Sequence, residues 1–292
     1  MNIMEILPDI LLIALALVML GLGLELSLRD FARVAQYKSA VALALVLQVV
    51  ILPLACLGIA WGFGLPAAFA VGLLILAASP GGVTANLFSH IYGGKVAMNI
   101  SLTAINTVLA IVSLPVISNL AIAIFAPEGA DGTVVPLQFG KVAQVVAVVL
   151  VPVSLGMLLR RLAPAFAARL HKPFKILSAV VLASFALIAI VSERQALMDN
   201  FAVLGPAVIL FNVLSLLAGY FAAQWAGQDE GTARAISFEI GIHNSTLALY
   251  VALSVLQSLP IALPAALYSV SMYITALLFG IWLTRRKGAV PA

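Results

Sequence analysis

Nine apolar stretches, each close to the roughly 20 residues that a helix needs to cross a bilayer, dominate the sequence. They cover residues 10–28, 39–63, 67–92, 96–125, 142–162, 174–191, 201–226, 232–256 and 263–284. Of the 292 residues 64% are apolar and only 9% charged, where a soluble protein carries about 25% charged. A water-soluble globule is therefore excluded. Nine helices consume most of the chain and leave loops too short for a separate soluble unit, so a single membrane domain over 1–292 is expected. The stretches do not alternate apolar and polar residues with period two, as a membrane barrel would. The expected fold class is an all-α polytopic membrane protein.

Nine crossings put the two termini on opposite faces, which allows each loop's Lys and Arg to be counted by side. Arg29, Arg33, Lys38, Lys95, Arg160, Arg161, Arg169, Lys172, Lys175, Arg234, Arg285, Arg286 and Lys287 fall on one face, and only Lys141 and Arg194 on the other, 13 against 2. Because basic loops stay in the cytoplasm, the N-terminus is expected outside and the C-terminus inside. The net charge of +4 does not imply nucleic acid, since the basic residues mark span ends rather than a stripe interleaved with aromatics. A single cysteine, Cys56, excludes an intrachain disulfide. Glu5 and Asp9 near the start, without a basic n-region, speak against a cleaved signal or transit peptide.

Two spans carry helix-breaking signals. Ser79-Pro80-Gly81-Gly82 interrupts the third, because proline removes a backbone donor and tandem glycine adds freedom. The eighth carries Glu239, Gly241, His243, Asn244 and Ser245 across its centre. Each follows a span with a mid-membrane amide, Gln48 and Asn212, and each has an Asn after its break, Asn86 and Asn244. The two are five spans apart, an odd number, so they run in opposite directions, the pattern of an inverted repeat with discontinuous helices. The second halves are expected to begin near Val83 and Thr84 and near Asn244 and Ser245. Free N–H groups at those starts attract an anion, and free carbonyls at the ends of the first halves attract a cation.

Glu239 alone among the acidic residues lies well inside a span, about 7.5 Å along a helix from Arg234. An unpaired charge at that depth costs several kcal/mol, and no Lys or Arg lies inside another span to neutralise it. A bound cation or a proton remains. The candidate co-ligands are oxygen donors: Asn86, Asn99, Ser101, Thr103, Asn106 and the carbonyls at the breaks. They suit a hard cation such as sodium, whereas His90, His171 and Cys56 lack the clustering that zinc or copper requires. Glu25 is expected to face cytoplasmic water, and Gly21-Leu22-Gly23 to form a close-packing surface between helices.

The run SPGGVTANLFSHIYGG from Ser79, the run from Lys95 to Thr103, and EIGIHNSTLA from Glu239 resemble the two crossing-helix motifs of the bile acid:sodium symporter family. The opening GLGLELSLRDF from Gly21 resembles that family's first conserved turn. The resemblance spans nearly the whole chain. It implies two inverted five-helix repeats with the first helix missing, core helices over 39–125 and 201–286, and panel helices over 9–28 and 142–195. It implies one sodium site at Ala85, Asn86, Asn99, Thr103 and Glu239, and a second at Gln48, Glu239, Ile240, Ile242 and His243, partly through backbone carbonyls. Small anions would bind near Val83, Thr84, Asn244 and Ser245. Ala85 stands where the family carries Ser, Asn99 replaces another Ser, and His243 stands where Gln is common. Met272 and Tyr273 stand where some members carry a histidine and an asparagine.

The resulting expectation is a secondary transporter that moves a small organic anion, a carboxylate or bile-acid-like molecule, with sodium as the coupling ion by alternating access. Its partners would be that anion and the lipid bilayer, with no nucleic acid and no obligate protein partner. Its place would be the bacterial inner membrane. Proton coupling through Glu239 and His243, and a passive channel or sensor, stay open as alternatives. An intramembrane hydrolase would need a carboxylate pair, an HExxH run or a Ser beside a base, and the sequence offers none of them.

Overall fold

The computed structural model describes residues 3–126 and 139–286 and is helical, with no strand among the described residues. Helix α1 (Ile3–Glu25) ends at a short break, and α2 (Leu28–Arg33) follows. A capping box starts α2: Ser27 N–H and Oγ both donate to Asp30 Oδ2, at 2.8 and 2.6 Å. Helix α3 (Lys38–Val46) runs through a π turn (Leu47–Ile51) into α4 (Leu52–Gly62). The π turn lies just ahead of Pro53, whose ring would press on the carbonyl four residues back; the widened turn relieves that clash. It also carries Gln48.

The third apolar stretch forms two helices, α5 (Ala67–Ala78) and α6 (Val83–Ile91), separated at Ser79-Pro80-Gly81-Gly82. Helix α7 (Val96–Phe125) is continuous. Helices α8 (Phe139–Leu162), α9 (Pro164–Ser192) and α10 (Arg194–Trp225) follow. The eighth stretch also divides, into α11 (Glu230–Gly241) and α12 (Ser245–Tyr250), the latter extended by a π turn (Val251–Val255). Helix α13 (Leu259–Arg286) closes the described chain. Lys38–Gly62, Val96–Phe125, Gly140–Leu162, Arg194–Trp225 and Leu259–Arg285 are each long and apolar enough to cross a membrane by length and composition.

Helix α1 packs on α8 and α9, α9 also packs on α13, α5 packs between α7 and α13, and α11 lies against α10, α6 and α7. The α1–α8 contact needs glycine on both sides. A Cβ on Gly156 would stand 2.8 Å from Gly23 Cα, and one on Gly23 would run into the Val153 backbone. The Gly-rich close-packing expectation thus has a specific partner.

A polar clasp ties the end of α6 to the start of α11. Arg234 Nε donates to Glu230 Oε1 (2.9 Å) and its Nη1 to the Tyr92 carbonyl (2.5 Å). Lys95 Nζ meets Asp229 Oδ2 at 2.6 Å, and Lys95 N–H donates to the Gly231 carbonyl. Asp229 also caps α11 by accepting from Thr232 N–H and Oγ1. Desolvation pushes its carboxyl up, but the Lys95 ammonium and the two Thr232 donors override that and bring it from 3.8 down to about 2.

Candidate functional site

The two breaks meet. Gly82 N–H donates to the Ile242 carbonyl and Asn244 N–H to the Pro80 carbonyl, both at 2.8 Å, forming an antiparallel bridge between Gly81 and His243. Backbone groups freed by Pro80 and the glycines are satisfied by the opposite break, which is why two interrupted helices tolerate membrane depth together. A Cβ on Gly81 would lie 2.7 Å from the Glu239 carbonyl and inside its carboxyl group. Gly81 is therefore what lets Glu239 approach the first break.

Two amides hold the ends of the first half-helices. Gln48 Nε2 donates to the carbonyls of Ala77 (2.9 Å) and Ser79 (3.0 Å) at the end of α5. Asn212 Nδ2 donates to Gly241 O (2.8 Å) at the end of α11. Both amides occur where the sequence put them, one ahead of each broken segment.

Glu239 is fully buried. Its Oε2 accepts from Thr103 Oγ1 at 2.6 Å and its Oε1 from Asn106 Nδ2 at 3.1 Å. Thr103 Oγ1 also lies 3.1 Å from the Asn99 carbonyl. Residues 99, 103 and 106 share one face of α7, at the i, i+4, i+7 spacing of a helix.

Four buried amides share a polarity. Asn99 Nδ2 donates to Ala235 O (3.1 Å), Asn106 Nδ2 to Glu239 and Asn86 Nδ2 to Glu25 Oε2 (3.4 Å), while Gln48 Nε2 serves the two carbonyls of α5. Each NH2 end thus rests on a group that accepts. The opposite ends, Gln48 Oε1 and the Oδ1 atoms of Asn86, Asn99 and Asn106, are buried without a hydrogen-bond partner among the described residues. A buried acceptor left so costs about 1–3 kcal/mol; Asn99 and Asn106 lie on the α7 face that bonds Glu239, while Asn86 of α6 and Gln48 of the π turn bring two more such oxygens, a donor chemistry that fits a hard cation.

Asn244 has the reverse polarity. Its Oδ1 accepts from Leu247 N–H at 3.0 Å, capping α12, so its NH2 end is what it presents. Val83 opens α6 by its backbone, and its side chain lies outside the described residues. Thr84 is partly buried in the first turn of α6, though Gly82 rather than a hydroxyl residue occupies the cap position. Ser245 is buried at the start of α12 and its Oγ points to Met272 Sδ at 3.9 Å. Tyr273 stacks on Phe88 of α6, ring centroids 6.3 Å apart. The two α13 residues thus contact both second half-helices, α12 and α6.

Ala85 is fully buried and offers only its carbonyl. Ile240 and Ile242 are buried at the end of α11, and the Ile242 carbonyl already accepts from Gly82. His243 Nδ1 lies 2.9 Å from Tyr268 Oη, and Tyr268 in turn donates to Gly241 O (2.8 Å) and accepts from Asn212 Nδ2 (2.7 Å). With the one phenolic proton on Gly241, Nδ1 is the donor to Tyr268 and Nε2 keeps its lone pair, buried without a partner among the described residues. Sequence reasoning missed Tyr268 and the acidic partner of Asn86. Glu25 does not simply face water: it is half-buried and reaches α6.

Residues 12–200 match the family described as the sodium bile acid symporter family. The chain belongs to that family. It is 28% identical over 259 residues to an uncharacterized sodium-dependent transporter, YocS of Bacillus subtilis (strain 168), covering 88% of this chain and 78% of the relative. It is 31% identical over 269 residues to the probable sodium/metabolite cotransporter BASS3, chloroplastic, of Oryza sativa subsp. japonica, covering 90% of this chain and 61% of the relative. To the ileal sodium/bile acid cotransporter of Oryctolagus cuniculus it is 25% identical over 246 residues, 83% of this chain and 68% of the relative. The family is one of transporters rather than enzymes, and the chain is an integral membrane protein.

Proposed function

We propose that the chain is a secondary transporter that couples a small organic anion to sodium by alternating access, with the crossed breaks as its binding centre. The observation that carries this reading is the opposed polarity of the amides: unpartnered oxygens at Gln48, Asn86, Asn99 and Asn106, the last of which also bonds Glu239, and an NH2 group at Asn244. A cation and an anion are thereby offered adjacent places at one crossing. Ala85 (through its carbonyl), Asn86, Asn99, Thr103 and Glu239 would hold the first sodium, with Asn106 added as a neighbour of the carboxyl. Gln48 with Glu239, Ile240, Ile242 and His243 would hold a second. The unpartnered Gln48 Oε1 supports that second set, while the His243 nitrogen and the engaged Ile242 carbonyl make it the poorer oxygen cage. A bound sodium supplies a positive charge that offsets a buried Glu239.

The anion would be taken by the backbone starts at Val83 and Thr84 together with Asn244 and Ser245. Met272 and Tyr273 beside them favour a carboxylate with an apolar or aromatic body. Nine crossings, the N-terminus outside and a bacterial inner membrane complete the reading. The matched roles of Gln48 and Asn212 support an inverted repeat, and the extensive packing of α1 on α8 supports a panel, with α9 joining it to α13 of the core.

Equilibrium binding of radioactive sodium to the purified protein tests the site. Competition by unlabelled sodium but not potassium, lost in Asn86→Ala and Glu239→Gln, is the expected result; binding that survives both substitutions overturns it. One geometric fact favours proton coupling as a second reading. The Thr103 hydroxyl can donate to an ionised Glu239, or to the Asn99 carbonyl while a protonated Glu239 donates to Thr103 Oγ1, without heavy-atom movement.

A further inference from the structure

Of the four amides with unpartnered oxygens, three are held from α5 or α11, next to the crossing itself. Asn86 is held differently. Its Nδ2 meets Glu25 Oε2 at 3.4 Å, and Glu25 is the last residue of α1, a helix that packs on α8 and α9. The Glu25 backbone is itself held by Arg160 of α8, which donates to its carbonyl.

We infer that Glu25 is a positioning residue for the cation site, keeping the Asn86 oxygen turned toward the ion from across the α1–α6 boundary. The inference rests on the sodium reading above. The two ends of a carboxamide are nearly equal in size, so packing alone does not choose between them; hydrogen bonding does. The Glu25 Oε2 atom accepts from the NH2 end and leaves Oδ1 on the other side. Turned over, Asn86 would aim its N–H groups at the cation and repel it. Movement of α1 away from α6 releases this constraint and weakens ion binding, and by linkage a bound ion favours the α1–α6 contact by the same factor. Glu25 thereby couples the ion to the relative position of the two groups of helices without touching the ion.

The test is a sodium titration of thermal stability on the purified full chain, with potassium holding ionic strength constant. Glu25→Ala is expected to raise the half-saturating sodium concentration about tenfold, the scale of one hydrogen bond to a charged group. Glu25→Gln, whose carbonyl still accepts from Asn86, retains most of the affinity. Glu25→Asp keeps the charge but draws the carboxylate back by one methylene, and weakens sodium as Glu25→Ala does. The Gln and Asp variants decide the matter if the Ala variant does not fold. Wild-type half-saturation in Glu25→Ala and Glu25→Asp, or equal loss in Glu25→Gln, overturns the positioning role. A sodium response that persists in Glu239→Gln overturns the sodium reading beneath it, which is a separate result.

Discussion

Glu239→Gln changes the charge at the crossing and almost nothing else in its packing. In the wild type, Oε2 accepts from Thr103 Oγ1 at 2.6 Å and Oε1 from Asn106 Nδ2 at 3.1 Å. Glutamine can keep both contacts if its carbonyl faces Asn106 and its NH2 faces Thr103. Thr103 then turns its proton to the Asn99 carbonyl, 3.1 Å away, so both contacts of the side chain are kept. Exchanging charged for neutral bonds costs about 1 kcal/mol each, partly offset because a neutral amide is cheaper to bury than a carboxylate. Stability in potassium should therefore fall by no more than about 2 kcal/mol. Sodium at a hundredfold excess over its dissociation constant should stabilise the wild type by about 2.7 kcal/mol and the variant by nothing measurable. Thermal unfolding in sodium and in potassium, followed by tryptophan fluorescence, reads both quantities. Sodium stabilising Glu239→Gln as much as wild type would refute the reasoning, and so would collapse of the variant in potassium, which would make Glu239 a packing residue first.

Gly156→Val should cost about 1–3 kcal/mol by overpacking, because its Cβ would stand 2.8 Å from Gly23 Cα; a thermal midpoint equal to wild type would show that α1 and α8 are not so closely packed. Lys141 Nζ donates to Val255 O (2.6 Å) and Gln144 Nε2 to Tyr250 Oη (3.0 Å), bonding α8 to α12 and its π turn. If these bonds close one mouth, Lys141→Met should speed modification of a Ser254→Cys reporter by a methanethiosulfonate reagent in a Cys56→Ser background, and an unchanged rate would remove the latch. The Asp229 carboxyl, held below its ordinary value at about 2, contributes stability that is present above pH 4 and lost as pH falls from about 4 to about 2. Asp229→Asn should flatten that acid limb of a melting profile, by a small amount because the pair is substantially exposed.

The breaks were legible because proline and tandem glycine act locally: α6 starts at Val83 and α12 at Ser245, where the sequence puts them. Span 96–125 coincides with α7, since Lys95 marks its start and the apolar run its length. Helix ends elsewhere were not legible. Charges at Arg169, Lys172 and Lys175 set the sixth span's start at 174 by composition, yet its helix, α9, begins at Pro164, because charge marks where the bilayer stops and not where helical hydrogen bonding stops. Helix α10 likewise starts at Arg194 rather than 201. At the site, Glu239, Asn86 and Thr103 announced themselves as polar residues in apolar runs. Tyr268 did not, since a tyrosine in α13 is indistinguishable by composition from bulk packing, and its bonds to Gly241, Asn212 and His243 exist only once three segments converge. Glu25 was misjudged for a related reason. Its distance from a span end says nothing about which helix passes beside it.

Sodium-driven accumulation is the most direct test of the central claim. Proteoliposomes holding the purified chain would be given an inward sodium gradient and a set of radiolabelled small carboxylates together with taurocholate. The account predicts that at least one of these anions accumulates above its external concentration, that accumulation disappears when potassium replaces sodium or a sodium ionophore dissipates the gradient, and that Glu239→Gln abolishes it. Accumulation that persists in potassium under an imposed proton gradient, at the same rate as in sodium, would contradict it.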